Sequence, residues 1–253
     1  MIDSAASTSR FSRSLLPPIF PVLAVVGLLL ALLLYRQTFR EATIDLTIGR
    51  AAAERRALEF LAAQGVAIDQ RWRSSSFRTE TIAQDYMIAS SGLAELQSLA
   101  QQDLKFAGWH VRLFTPLDPE EWSVDVSGRT GRIMSYQHVI KEEAPGATIS
   151  ISAAEQLALE ALAARPGGGP APGELRLLAR RVTRQPNRTD QVFTWERPAL
   201  RRGDATYRYT VTVAGDQVGR IDEYSHIPES WQRLARWHFR RGALLNTIGW
   251  TAA

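Results

Sequence analysis

The sequence predicts an α+β protein in which an N-terminal transmembrane helix precedes a duplicated region of helix and antiparallel sheet. Three observations carry that prediction. Residues Leu15 to Tyr35, LLPPIFPVLAVVGLLLALLLY, contain no charge. Beyond them, apolar residues recur first at helical spacing and then at a period of two, and the chain passes through that order twice.

Residues 1–14 are rich in Ser, Ala and Arg and read as a disordered tail. The run 15–35 is about 31 Å long as a helix at ~1.5 Å per residue, matching a ~30 Å bilayer core. Pro17, Pro18 and Pro21 fall in its first turns, where a helix has amide donors that it cannot pair. A cleavable signal peptide would be shorter and end in a small-x-small site, whereas Tyr35-Arg36-Gln37-Thr38-Phe39 follows here. The arginines nearest the run, Arg10 and Arg13 before it and Arg36, Arg40, Arg50, Arg55 and Arg56 after it, favour a cytoplasmic domain by local charge count.

Residues 36–147 form the first α+β unit. Its first helix covers Glu41 to Gln64, with Ile44, Ile48, Leu58 and Leu61 at helical spacing and Gly65 as the stop. A second helix covers Thr79 to Phe106, broken at Ser90-Ser91-Gly92. Three strands follow, Trp109 to Phe114, Trp122 to Val126 and Arg132 to Ile140, with turns at Asp118-Pro119 and Ser127-Gly128-Arg129-Thr130-Gly131.

Residues 148–228 start the plan again. An Ala-rich helix spans Ile149 to Ala164, a flexible loop spans Pro166 to Gly173, and strands cover Glu174 to Arg184, Gln191 to Glu196, Thr206 to Ala214 and Gln217 to Tyr224. Tyr207, Tyr209, Val211 and Val213 share one face, and Gly215-Asp216 makes a two-residue hairpin turn. Tyr207 and Tyr209 offer a peptide-binding face, weighed against simple packing beneath a helix.

Residues 229–253 read as a basic amphipathic helix leading into an incomplete second transmembrane segment. Arg233, Arg236, Arg240, Arg241, Trp237 and Trp250 are expected to contact the membrane surface. The alternative is a helical tail with Trp231 in the core of the domain.

Composition narrows the chemistry. The net charge is +4, but only Lys105 and Lys141 are lysines and the arginines are interspersed with acids, unlike the clustered footprint of a nucleic-acid binder. Cysteine is absent, which removes disulfides, thiolate metal sites and thiol nucleophiles. No Gly-x-Ser-x-Gly elbow occurs, and Gly167-Gly168-Gly169 lacks the Lys-Ser/Thr of a phosphate loop. The best metal-ligand pair is His138 with Glu142 or Glu143, against which stand a strand at Val139-Ile140 and the break at Pro145.

Several segments resemble the N-terminal region of bacterial CPBP-type intramembrane metalloproteases. They include Trp109-His-Val-Arg-Leu-Phe-Thr-Pro-Leu, Glu120-Glu-Trp-Ser-Val-Asp-Val, Arg188-Thr-Asp-Gln-Val-Phe-Thr-Trp-Glu, Gly203-Asp-Ala-Thr-Tyr-Arg-Tyr and Ile227-Pro-Glu-Ser-Trp, in order over roughly residues 40–235. The strand-turn-strand pieces also resemble PepSY-type units. The resemblance implies a membrane-anchored, non-catalytic sensor or substrate-gating domain of a protease whose zinc-bearing membrane core is absent from this chain. Neither Glu142-Glu143 nor Glu120-Glu121 carries the arginine of the family's Glu-Glu-x-x-x-Arg motif, so no catalytic residue and no cofactor is assigned to these residues. The alternative is a stand-alone single-pass PepSY-like module that binds or inhibits a separate envelope peptidase. Expected partners are the lipid bilayer and either a peptide or protein substrate or a membrane protease core, with no nucleic acid. By analogy with PepSY-like domains, the soluble part is expected on the extracytoplasmic side.

Overall fold

The computed structural model describes residues 19–38, 44–69 and 71–235. Two compact units are distinguished, residues 1–42 and residues 43–253.

The first unit contains helix α1, Ile19–Thr38. Its described side chains, residues 20–35, are all exposed and apolar up to Tyr35. Among the described residues no helix is long and apolar enough to cross a membrane. The remainder of the expected span, residues 15–18, lies outside the described residues.

The second unit is built on one antiparallel sheet of eight strands in the order β1-β2-β3-β4-β8-β7-β6-β5. The elements are α2 (Arg50–Ala63), β1 (Trp72–Thr79), α3 (Thr81–Ser91), α4 (Leu93–Gln101), β2 (Ala107–Phe114), β3 (Glu121–Ser127), β4 (Ile133–Val139), α5 (Ile151–Ala163), β5 (Arg176–Arg184), β6 (Thr189–Glu196), β7 (Thr206–Ala214) and β8 (Gln217–His226). Each half is a helix followed by a four-stranded meander, and the two halves meet at their last strands. The duplicated α+β plan is therefore present, but the two sets of strands fuse into a single sheet.

The helices show how the duplication is written. Residues 52–64 read AAERRALEFLAAQ and residues 153–165 read AAEQLALEALAAR. Ala53, Ala57 and Leu61 of α2 are fully buried against the sheet, as are their counterparts Ala154, Ala158 and Leu162 of α5. Small residues at i and i+4 let each helix lie close to the strands, and the leucine fills the end of the contact. The hairpins repeat as well: Gly131-Arg132-Ile133 opens β4 and Gly219-Arg220-Ile221 lies in β8.

Both helices cover the same face. Beneath α2 lie Val111, Leu113, Trp122, Val124, Val126 and Tyr136; beneath α5 lie Phe193, Trp195, Tyr207, Tyr209, Val211, Val213 and Ile221. Period-two alternation delivers each set to one side of the sheet. In β7 it matches the sequence reading residue for residue. Gly215 takes φ +67 in the two-residue turn, with Ala147 N 3.0 Å from where a β-carbon would sit.

Several expectations are corrected. The helix expected from Glu41 starts only at Arg50; residues 44–49 are irregular, and Ile48 N donates to Gly128 O at 2.7 Å. The helix expected to Phe106 ends at Gln101, and Asp103 adopts φ 59 in the turn that follows. Strand β1 is absent from the sequence reading. Its residues WRSSSFRT have no apolar alternation because an edge strand exposed on both faces has no side to bury. The loop after α5 is tied down: Ile133 N donates to Pro166 O at 3.0 Å, and a β-carbon on Gly169 would sit 1.8 Å from Leu162 O.

The asymmetric part is the helical insertion α3–α4 between β1 and β2. It buries Tyr86, Met87, Leu96 and Leu99 against Ala205 and Ile227 of the second half. Tyr86 Oη accepts from Asp204 N at 3.2 Å, and Arg202 Nε donates to Glu95 at 2.6 Å. The insertion thus straps the first repeat to the second.

Candidate functional site

The two halves share little backbone pairing. Strands β4 and β8 are paired only at Tyr136 with Ile221 and Gln137 with Arg220. Past those positions ionic side chains join the repeats on both faces. On the helix-covered face, Glu223 is fully buried and accepts from Arg132 Nη1 at 3.0 Å and from Arg165 Nη1 at 2.9 Å. Burial pushes the Glu223 carboxyl up, but the two guanidiniums outweigh it and hold it below its ordinary value. Arg132 also reaches Asp103 at 3.2 Å.

On the opposite face, Lys105 Nζ lies 2.8 Å from each of Asp125 and Asp222 and donates to Ser135 Oγ at 2.8 Å. Burial opposes both charges, yet His110 Nδ1 at 2.7 Å and the Lys105 ammonium hold Asp125 at about 2. Burial likewise lowers the Lys105 ammonium, and the two aspartates override it and raise it. Each charge in this cluster is satisfied by its neighbours, so the cluster is a structural lock.

The open feature lies between α2 and α5, over β3, β4 and β8. A cleft of about 810 Å³ runs there. Its floor is Trp122, Tyr136, Val218 and Ile221, and its helical walls are Phe60 and Gln64 on one side and Leu157, Ala161 and Arg165 on the other. Phe60 meets Tyr136 edge-on at 5.4 Å. At one end, Trp122 stacks on His138 at 4.5 Å while the Arg71 guanidinium lies 3.9 Å from the Trp122 ring centre. His138 Nε2 pairs with Glu120 Oε1 at 2.7 Å. The floor is apolar, and the walls mix apolar side chains with Gln64, Glu160, Arg165, Asp216 and Gln217, a concave surface of the kind on which ligands lie.

Arg165 is the odd member of the wall. Its side chain is 1% exposed, its Nε donates to Leu162 O at 3.3 Å and its Nη1 to Met134 O at 2.7 Å. Its Nη2 is buried and has no hydrogen-bond partner. A buried donor left unpaired costs ~1–3 kcal/mol.

Comparing the helices residue by residue locates the cleft again. Between 52–64 and 153–165 the residues differ at four pairs: Arg55/Gln156, Arg56/Leu157, Phe60/Ala161 and Gln64/Arg165. The last three recur every fourth residue on one helical stripe, and Leu157, Phe60, Ala161, Gln64 and Arg165 from those pairs line the cleft. The sheet-facing stripe is unchanged. The two copies have diverged where they face each other.

The sequence-predicted residues fall elsewhere. Tyr207 and Tyr209 are each 3% exposed in the core beneath α5, and Tyr207 Oη accepts from Lys105 N at 2.9 Å, so they present no peptide-binding face. His138 is paired with Glu120 and not with Glu142 or Glu143, and among the described residues no group of three or more His, Cys, Asp or Glu is placed to hold a metal. Arg233 is exposed and pairs with Glu229 at 3.3 Å. Arg236, Trp237, Arg240, Arg241 and Trp250 lie outside the described residues. Trp231 packs edge-on against Tyr86 at 5.4 Å, which matches the alternative of a tail packed on the domain. The turn before β6 is held by side chains: Asn187 Nδ2 donates to Glu143 O at 2.7 Å, and the buried Arg188 donates to Lys141 O and Ala144 O.

The sequence reading missed Phe60, Trp122, Tyr136, Ala161 and Arg165 as a group. The signal that finds them is the helix-to-helix alignment, which separates the unchanged stripe from the changed one. Compared with protein-family models, characterised proteins and solved structures, the chain matches none.

Proposed function

We propose that the chain is a membrane-anchored, non-catalytic sensor or substrate-gating module whose α2–α5 cleft takes up a peptide-like segment. The observation that carries this reading is the cleft at the seam of the two repeats, with an apolar floor and with Phe60, Gln64, Leu157, Ala161 and Arg165, positions at which the repeats differ, among its walls. Anchoring rests on the run 15–35: a helix apolar on every side has to be covered by a large protein or by lipid. The resemblance to CPBP-type proteases supplies a context in which the module sits on the extracytoplasmic side and admits peptides to a zinc-dependent membrane core carried outside these residues.

The test uses residues 1–253 in proteoliposomes. The chain is expected to stay with the vesicles after alkaline carbonate extraction and to bind a fluorescein-labelled apolar hexapeptide by polarisation. Ala161→Phe, which fills the cleft with the residue the first repeat carries, is expected to abolish the polarisation signal. Release by carbonate overturns the anchor, and undiminished binding by Ala161→Phe overturns the cleft.

The self-contained sheet, with three apolar clusters of its own, favours a second reading as a stand-alone PepSY-like module acting on a separate envelope peptidase. Crosslinking in native membranes distinguishes the two: capture of a multispanning metalloprotease supports gating, and capture of a separate envelope peptidase supports the stand-alone module.

A further inference from the structure

The chain enters and leaves the second unit at the same end of the eight-stranded sheet. On entry, Ile48 N donates to Gly128 O at 2.7 Å and Trp109 Nε1 donates to Ile48 O at 2.8 Å. These bonds tie the entering segment to the turn between β3 and β4 and to the start of β2. On exit, β8 runs antiparallel to β4 and ends at His226. Ile227 then packs with Phe106, the residue before β2, and Trp231 meets Tyr86 edge-on at 5.4 Å. Helix α3 borders both segments, since Gln84 and Asp45 line one small cavity and Tyr86 holds Trp231.

The topology requires this arrangement. Each half is one helix and four strands, so the chain makes five passes in each and returns, after ten, to the end at which it entered. The insertion α3–α4 does not change the count, because Thr79 at the end of β1 lies opposite Ala107 at the start of β2.

Three large apolar side chains are exposed at this end: Leu46 on the entering segment, Ile82 in the first turn of α3 and Leu234 on the leaving segment. The exposed charges around them are of both signs, Arg78 and Arg233 with Asp45 and Glu229. The opposite end exposes Trp72 and Leu117, but the chain neither enters nor leaves there.

We infer that the end of the sheet bearing Leu46, Ile82 and Leu234 rests on a lipid bilayer, with these side chains at the boundary between headgroups and acyl chains. The inference rests on the anchoring reading above: the apolar run 15–35 is joined to the unit at this end, and the uncharged residues 242–253 follow its exit. Apolar side chains at a bilayer surface contribute through the area they bury, and charges of both signs give no preference for anionic lipid.

The chain has no cysteine, so one introduced thiol carries one label. The experiment places a nitrobenzoxadiazole fluorophore at Ile82→Cys, Leu46→Cys or Leu117→Cys in the full chain, in phosphatidylcholine vesicles with and without a lipid spin-labelled near the headgroup. The labels at Ile82→Cys and Leu46→Cys are expected to be quenched severalfold more than the label at Leu117→Cys, and to the same extent when anionic lipid is added. All three positions are exposed, so the substitutions leave the core intact. Quenching at Leu46→Cys without quenching at Ile82→Cys describes a tether and overturns the inference, as does stronger quenching at Leu117→Cys. Either result, in a chain that stays with the vesicles through carbonate extraction, leaves the anchor standing; release by carbonate overturns the anchor and the inference together.

Discussion

The two repeats bury the same helical stripe and differ on the neighbouring one. Ala53, Ala57 and Leu61 have the same environment as Ala154, Ala158 and Leu162, whereas Phe60 and Gln64 face Ala161 and Arg165 across the cleft. The difference teaches where this molecule has specialised. Packing onto the sheet tolerates little change because each helix lies close to its strands, while the seam is free to acquire size and charge on one side. The insertion α3–α4 extends the contrast, since only the first repeat carries it and it docks on the second.

Breaking the seam is expected to cost most. Glu223→Leu leaves Arg132 and Arg165 buried without their shared carboxylate, a loss of ~3–5 kcal/mol expected in urea unfolding followed by circular dichroism. Truncating the shared stripe sharpens the comparison: Leu61→Ala and Leu162→Ala are each expected to cost ~2–4 kcal/mol, and a gap of more than ~1 kcal/mol between them would show that the two cores are not equivalent.

The opposite face gives a pH signature. Asp125 is held at about 2, below its unfolded value of ~3.9, so the unfolded chain binds more protons as pH falls. Its contribution, ~2–3 kcal/mol, is fully present above about pH 5 and is lost as the pH falls from about 4 through 2. Asp125→Asn is expected to flatten the acid limb of stability against pH. The smallest effect concerns two equivalent glutamates. Glu54 accepts from Ser75 on β1 at 2.5 Å and Glu155 from Arg180 on β5 at 2.6 Å. Alanine at either site is expected to cost no more than ~1 kcal/mol by thermal unfolding, because both contacts are reached by solvent.

Much of the sheet was legible in the sequence. Strands β6, β7 and β8 and helix α5 follow from apolar period and the turn at Gly215, while the helix start is set by Ser150, whose Oγ accepts from Ala153 N at 3.2 Å. What was not legible depends on distance along the chain. Arg132 and Glu223 are 91 residues apart, and neither has a local pattern that announces a partner. Trp122, Tyr136 and Ile221 are buried strand residues, and only the spacing between the two helices leaves them as the floor of a cleft. The helical repeat is present letter for letter, but its meaning depends on knowing which stripe faces the sheet.

The strap made by α3–α4 has a consequence for synthesis. Its docking residues, Ala205 and Ile227, lie more than a hundred residues beyond the helices themselves. At ~5–20 residues per second, the ribosome takes roughly 5–20 s to supply the first of them. Once β4 has been made, the apolar cluster under α2 has its residues, while Tyr86, Met87, Leu96 and Leu99 still lack Ala205 and Ile227. The nascent first repeat therefore carries one apolar surface that stays uncovered until the second repeat arrives.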